Sequence, residues 1–231
     1  MMVLSLQVII QLKHNQISTL HLQTPIPKTL HIKTPTTIMK FTTAAVIASA
    51  AGLATALPTD SKIKDGDVFT IQTIRSGTAD LQYNTIQAVQ NSLVINAGQQ
   101  NASCGPEPHN YASFQLNNGT LYLYTANPPQ QMFVDRSGMG QGVIQYTTGV
   151  QDMVKNGERR TFAINDDGHL VFKDQTGQEI GFQACKPSLN GGYSVWLDGV
   201  TNPAGADECL GFAARAIKEE NPVKCSYTTY P

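Results

Sequence analysis

The chain has 231 residues, 16 basic and 17 acidic, and a formal net charge of −1. So small a charge, with no stripe of lysine or arginine, argues against nucleic acid or an anionic membrane surface as the partner. Its four cysteines, an even number without any Cys-x-x-Cys pair, argue for two disulfides in an oxidising compartment and against a zinc site.

Residues 1–38 contain no Asp, Glu or Cys and no sustained periodicity, so no packed domain is predicted there. A second Met-Lys, Met39 and Lys40, opens an apolar run over 41–53 that ends in Ala54-Thr55-Ala56. A charged start, a short apolar middle and small residues at minus three and minus one predict a secretory signal peptide over 39–56, cut after Ala56. Translation is therefore expected to begin at Met39, with residues 1–38 an upstream extension. The apolar run is too short and Ala-rich to make a membrane span. What remains, 57–231, has the length of a single domain. It keeps all 17 acidic residues and 12 of the 16 basic ones, a formal charge of −5.

Along this domain the alternation over 68–74 predicts a strand, Ser76-Gly77-Thr78 its turn, and Leu81-Gln82-Tyr83 and Leu93–Ala97 two further short strands. Residues 85–90 read as a helical turn. Two sequons, Asn101-Ala102-Ser103 and Asn118-Gly119-Thr120, predict N-glycans at Asn101 and Asn118, the first in a polar loop and the second in a tight turn. The stretch 112–149 then packs three alternating apolar segments, Phe114–Leu116, Leu121–Tyr124 and Val143–Tyr146, between turn-forming sequences. Phe114-x-Leu116-Asn117-Asn118-Gly119-x-Leu121 is echoed by Phe162-x-Ile164-Asn165-Asp166-Asp167-Gly168-x-Leu170. Each copy reads as a hairpin, since Gly accepts the positive φ of a tight turn. Gly181–Ala184 and Tyr193–Leu197 supply a third. The expected fold is all-β, a compact antiparallel domain with two disulfides, β-trefoil-like in preference to a β-sandwich. Of three disulfide pairings, Cys104 with Cys185 and Cys209 with Cys225 is favoured, because the second closes a compact C-terminal loop.

Candidate chemistry is sparse. Gly138-Met139-Gly140-Gln141-Gly142 precedes a strand-like segment, not the helix a phosphate loop requires, and reads as a turn. Asp135-Arg136 reads as a local ion pair or turn cap, and Asn165–Gly168, lacking calcium-loop spacing, as a turn. Asp135, Glu158, Asp198 and Glu208 offer carboxylates for glycoside chemistry, but nothing in the sequence pairs them. His109 and His169 read as surface or turn histidines. No catalytic, metal or cofactor motif is present. Alternation places Tyr122 and Tyr124 on the face opposite Leu121 and Leu123. With Leu in the core, the tyrosines are candidate carbohydrate contacts, and Trp196 is a third.

The segments SFQLNNGTLYLY, FVDRSGMGQG and YTTG resemble the PhiA family of fungal cell-wall proteins. The likeness continues through Trp196, Asn202-Pro203-Ala204-Gly205 and Gly211–Arg215 to Cys225-Ser226-Tyr227. It implies a secreted, glycosylated wall protein associated with phialide and conidium formation and with stress protection; the leading reading is a non-enzymatic structural protein of the wall. The implied partners are wall polysaccharide, glucan or chitin, or other wall glycoproteins. No hydrophobic tail of the kind a glycolipid anchor needs is present at the C-terminal end. The alternative reading is a secreted lectin-like module, and the third a glycan-active enzyme.

Overall fold

A computed structural model describes residues 62–105, 108–188 and 191–230; the extension, the signal peptide and the cut after Ala56 lie outside the described residues. Fourteen strands are formed, and among the described residues there is no α-helix. They are β1 Val68–Ile74, β2 Ile86–Val89, β3 Ser92–Ile95, β4 Ser113–Asn117, β5 Thr120–Leu123, β6 Gln130–Asp135 and β7 Val143–Thr148. Then follow β8 Gly157–Glu158, β9 Phe162–Ile164, β10 His169–Lys173, β11 Glu179–Ile180, β12 Phe182–Lys186, β13 Tyr193–Leu197 and β14 Glu208–Lys218. A short 3-10 turn, Pro203–Gly205, precedes β14.

Nine of the strands close a ring in the order β1-β4-β5-β6-β7-β3-β13-β12-β14, and β14 returns to β1 over the register Phe69↔Lys218 to Ile74↔Ala213. The result is an all-antiparallel barrel, which removes the open edges of a sheet. All three predicted hairpins are present: β4–β5, β9–β10 and β12–β13. They sit at unequal places, the first and third within the ring and the second attached to it through β14. At the tip of the first, Asn118 and Gly119 have φ of +47° and +77°, the pair of left-handed conformations a type I′ turn requires. A side chain at Gly119 would also come within 2.9 Å of the Arg160 carbonyl oxygen.

Period-two alternation fills the interior. Phe69, Ile71, Phe114, Leu121, Leu123, Ile144 and Phe172 are fully or almost fully buried. Three phenylalanine pairs face each other across strand joins: Phe69↔Phe114 between β1 and β4, Phe162↔Phe172 between β9 and β10, and Phe182↔Phe212 between β12 and β14. Their ring centroids lie 6.2, 6.4 and 6.4 Å apart, within the range of favourable aromatic contact. The void left between Ile71, Ile86, Leu121 and Phe182 is only about 10 Å³, too small to hold a ligand. The interior is therefore filled by the protein's own side chains.

Two local expectations differ from the structure. Leu81-Gln82-Tyr83 is a turn, with the Leu81 and Gln82 amides donating to Thr78 O at 3.0 and 2.9 Å, and Leu81 plugs the core as an isolated side chain. Residues 86–89 form β2, not a helical turn, because Gln87 and Gln100 supply hydrogen bonds that make a buried, polar-looking segment tenable as a strand. Gln87 Oε1 accepts from Ala97 N at 2.8 Å, and Gln100 Oε1 from Ala88 N at 3.3 Å.

The disulfides join Cys104 to Cys225 and Cys185 to Cys209, correcting the favoured pairing. Cys209 is the second residue of β14, and the strand carries the chain as far as Lys218 before Cys225 follows. Nine extended steps amount to about 30 Å, so residues near in sequence are held apart. Cys185 lies directly opposite Cys209 in the β12–β14 register, and Cys104 and Cys225 flank the bridge Ser103↔Ser226. Each pair has a Cα separation of 4.1 Å.

Beyond Cys225 the tail is stitched to other segments. Both backbone groups of Tyr227 are taken by Gln130, its N–H donating to Oε1 and its carbonyl accepting from Nε2, each at 2.9 Å. Thr228 O accepts from Asn91 N and the Tyr146 hydroxyl, and Tyr230 N donates to Asn91 Oδ1 at 2.6 Å.

Two measurements check this arrangement. Non-reducing peptide mapping is expected to recover 104 cross-linked to 225 and 185 to 209. Because these close loops with sequence separations of 121 and 24, removing the first by paired Cys→Ser is expected to cost about 5 kcal/mol against about 3.5 for the second. Gln130→Met, which keeps the volume and orphans both Tyr227 backbone groups, is expected to lose about 2–3 kcal/mol in urea unfolding.

Candidate functional site

On the outer face the predicted alternation holds around β5. Leu121 and Leu123 are buried, while Tyr122 and Tyr124 are half-buried on the opposite side. The Tyr122 hydroxyl accepts from Gln131 Nε2 at 3.3 Å, across the β5–β6 pairing. The Tyr124 ring carries the Lys224 ammonium 5.5 Å from its centroid, a cation–π contact from the tail. Trp196 belongs elsewhere, since β6 and β7 separate β5 from β13 in the ring. The three candidate aromatics do not form one platform.

Trp196 instead lines a groove of about 360 Å³ where β3, β7 and β13 meet. Its strand neighbours Val195 and Leu197 point into the core, so Trp196 and Ser194 point out. Opposite Trp196 is Val143, and next along that face Ser92 opposes Gln145. Pro187 and Tyr230 complete the walls. Sequence reasoning missed Tyr230, Gln145 and Ser92, because only the tail's path and the split pairing of β3 between β7 and β13 bring them to Trp196.

FVDRSGMGQG borders this groove. Asp135 Oδ1 caps the turn by accepting from Ser137 N at 2.9 Å, and Gly140 packs so close that a Cβ there would lie 2.2 Å from Asp135 Cγ. Gly142, with φ of +83°, accepts from Leu197 N at 2.9 Å. Gln141 Oε1 accepts from Ala204 N at 2.6 Å, tying the glycine-rich turn to Asn202-Pro203-Ala204-Gly205. Arg136 pairs not with Asp135 but with Glu158, in a bidentate contact at 2.7 and 2.8 Å.

The other carboxylates are placed apart from that pair. Asp198 and Glu208, together with Asp207, line an open groove of about 500 Å³ beside Gln183. Asn165–Gly168 is the β9–β10 turn, its Asn165 Oδ1 accepting from His169 N at 2.9 Å. Among the described residues no group of three metal-ligating side chains is present. Both sequon asparagines, Asn101 and Asn118, are exposed and adopt positive φ.

His109 is half-buried, where a surface or turn position was expected. Its ring meets Tyr111 edge-on at 5.2 Å, with Nδ1 2.9 Å from the Tyr111 hydroxyl. Nearby, Ser113 Oγ donates to Glu219 Oε1 at 2.8 Å and Ser113 N donates to the Tyr227 hydroxyl at 2.9 Å. Burial pushes the Tyr227 phenol up to about 12. Burial also holds the Glu219 carboxyl above its ordinary value, against the opposing pull of Ser113 and His109.

A closed, disulfide-stapled β-barrel with a filled interior, exposed sequons and an aromatic groove on its outer wall is a secretory scaffold that meets its surroundings through its surface. The PhiA-like secreted protein family matches residues 69–228, and the chain belongs to that family. It is 42% identical over 184 residues to cell wall protein phiA of Aspergillus fumigatus, covering 79% of this chain and 96% of that protein. The same-named protein of Emericella nidulans is 40% identical over 193 residues, 83% of this chain and 100% of its own length. That of Arthroderma benhamiae is 37% identical over 152 residues, 61% of this chain and 77% of its own. No solved structure matches. The chain is thus a secreted cell-wall protein.

The raised Glu219 carboxyl gives a signed pH dependence. The folded state keeps a proton that the unfolded chain releases near its ordinary 4.5, so this group's contribution to stability is full below that pH and is lost as pH rises through the higher folded value. Denaturant unfolding across this range is expected to show a decline that Glu219→Gln removes; an identical decline in both proteins would contradict the assignment.

Proposed function

We propose that the mature chain is a non-enzymatic structural component of the fungal wall, retained by contact of its outer face and glycans with wall polysaccharide, glucan or chitin, or with other wall glycoproteins. It is released by cleavage after Ala56 from a precursor begun at Met39, and it serves phialide and conidium formation and stress protection. The observation that carries this reading is the filled barrel: with a residual void of about 10 Å³, the protein offers partners only an exterior. Membership of a family whose relatives carry the cell-wall name supports the location. Two of the four candidate carboxylates are engaged in holding the fold, Asp135 in the turn and Glu158 on Arg136.

Fractionating a culture into medium, hot detergent with reductant, and glucanase-released material, with peptide mass readout, tests the proposal. Recovery mainly in the wall fractions, with Leu57 at the N-terminus and glycans on Asn101 and Asn118, is expected. Recovery almost wholly in the medium would overturn retention in the wall. Hydrolysis of glucan or chitin abolished by Asp198→Asn or Glu208→Gln would replace the structural reading with an enzyme.

A further inference from the structure

We propose that the Trp196 groove is a binding subsite for a neutral pyranose chain with equatorial hydroxyls, the chemistry shared by β-glucan and chitin. This deepens the wall-contact reading above and rests on it. Three observations point to this class of ligand.

The groove combines two aromatic side chains with neutral polar groups: Trp196 and Tyr230 stand with Ser92, Gln145 and Ser194, and none of its lining residues carries a formal charge. An anionic or cationic partner would find no counter-charge there. A pyranose with equatorial hydroxyls turns a face of axial C–H bonds to an indole while its hydroxyls project sideways towards amide and hydroxyl partners. That is the mixture of apolar wall and few oriented polar groups typical of ligand sites, whose volumes run from about 300 to 1,000 Å³.

The polar groups are also unengaged. Among the described residues the side chains of Ser92, Gln145, Ser194, Trp196 and Tyr230 have no hydrogen-bond partner, whereas the amides of Gln87, Gln100, Gln130 and Gln183 are tied to backbone groups. Donors and acceptors lining a concavity, and not used by the fold, are free to hold a ligand's hydroxyls.

Finally, the walls are fixed. The Gln141–Ala204 hydrogen bond, the Leu197–Gly142 hydrogen bond and the Tyr230–Asn91 hydrogen bond anchor three separate segments around the same concavity. A groove formed before its ligand arrives loses little on ordering.

Trp196 is the chain's single tryptophan, so its fluorescence reports this groove alone. Titration of the mature protein with laminarihexaose and, separately, chitohexaose is expected to give a saturable emission shift with at least one of them, and which one responds separates glucan from chitin. The shift should be the same at low and high salt, because no charge is involved. β-1,4-Mannohexaose, with its axial hydroxyl, is expected to bind at least about tenfold more weakly. Tyr230→Ala should weaken binding about tenfold while leaving the unfolding midpoint in place, since only the backbone of Tyr230 holds the tail. Trp196→Phe, followed by calorimetry, should weaken it too. No emission change with either glucan or chitin oligomer, binding untouched by both variants, or equal binding of mannohexaose overturns the proposal. Wall fractionation of the unmodified protein and Trp196→Ala separates the two readings. Wild-type protein retained in the wall but silent towards both oligomers sinks the groove and leaves the wall role standing. Wild-type protein in the medium that nonetheless binds an oligomer does the reverse.

Discussion

Closure of the barrel depends on one long strand. Over Glu208–Lys218, β14 pairs first with β12 and then with β1, and its second half also meets β10. A strand serving that many neighbours must fit a tight interior along its whole length, which decides its side chains. Phe212 faces Phe182 where two strands meet across the core, but further on Ala214 and Ala216 stand opposite Thr73 and Ile71. Small residues opposite larger ones keep the ring filled without overpacking. A bulkier residue at Ala214 would press on Ile71, Leu121, Leu170 and Phe182, which leave a void of only about 10 Å³ between them.

Where strands cannot satisfy backbone groups, buried amides do. Gln100 Nε2 donates to the carbonyls of His109 and Tyr111, Gln130 holds both sides of Tyr227, and Gln183 Nε2 donates to Leu197 O and Val200 O. Apart from Leu197 at the end of β13, the residues served lie in loop or tail segments with no strand partner of their own, and an orphaned buried carbonyl or N–H would be costly. The long connections over the surface are thus held by side chains from within, and the outer grooves gain fixed walls from the same bonds.

The sequence was most legible where local chemistry decides the structure. Asn118-Gly119 and Asn165–Gly168 marked hairpins because positive φ is a property of those residues, and Leu121 and Leu123 against Tyr122 and Tyr124 declared a two-sided strand. It was least legible where distant segments decide. Gln87 reads as part of a helical turn until Ala97 is seen to need its carbonyl oxygen. Cys209 and Cys225 read as neighbours until the length of β14 is known, and nothing near Tyr230 in the chain hints that it stands in the same groove as Trp196. Register and long-range contacts were the missing information in all three cases.

The closing strand also has a consequence for biosynthesis. Of the fourteen strands β14 is made last, and the tail that Cys104 secures follows it, so β1 keeps an unpaired edge while the intervening strands emerge. Over that interval residues 69–74, which β14 covers in the finished barrel, present open backbone groups on one side. Folding in this protein therefore ends with its last strand: a chain that stopped short of Glu208 would keep both β1 and β12 as open edges.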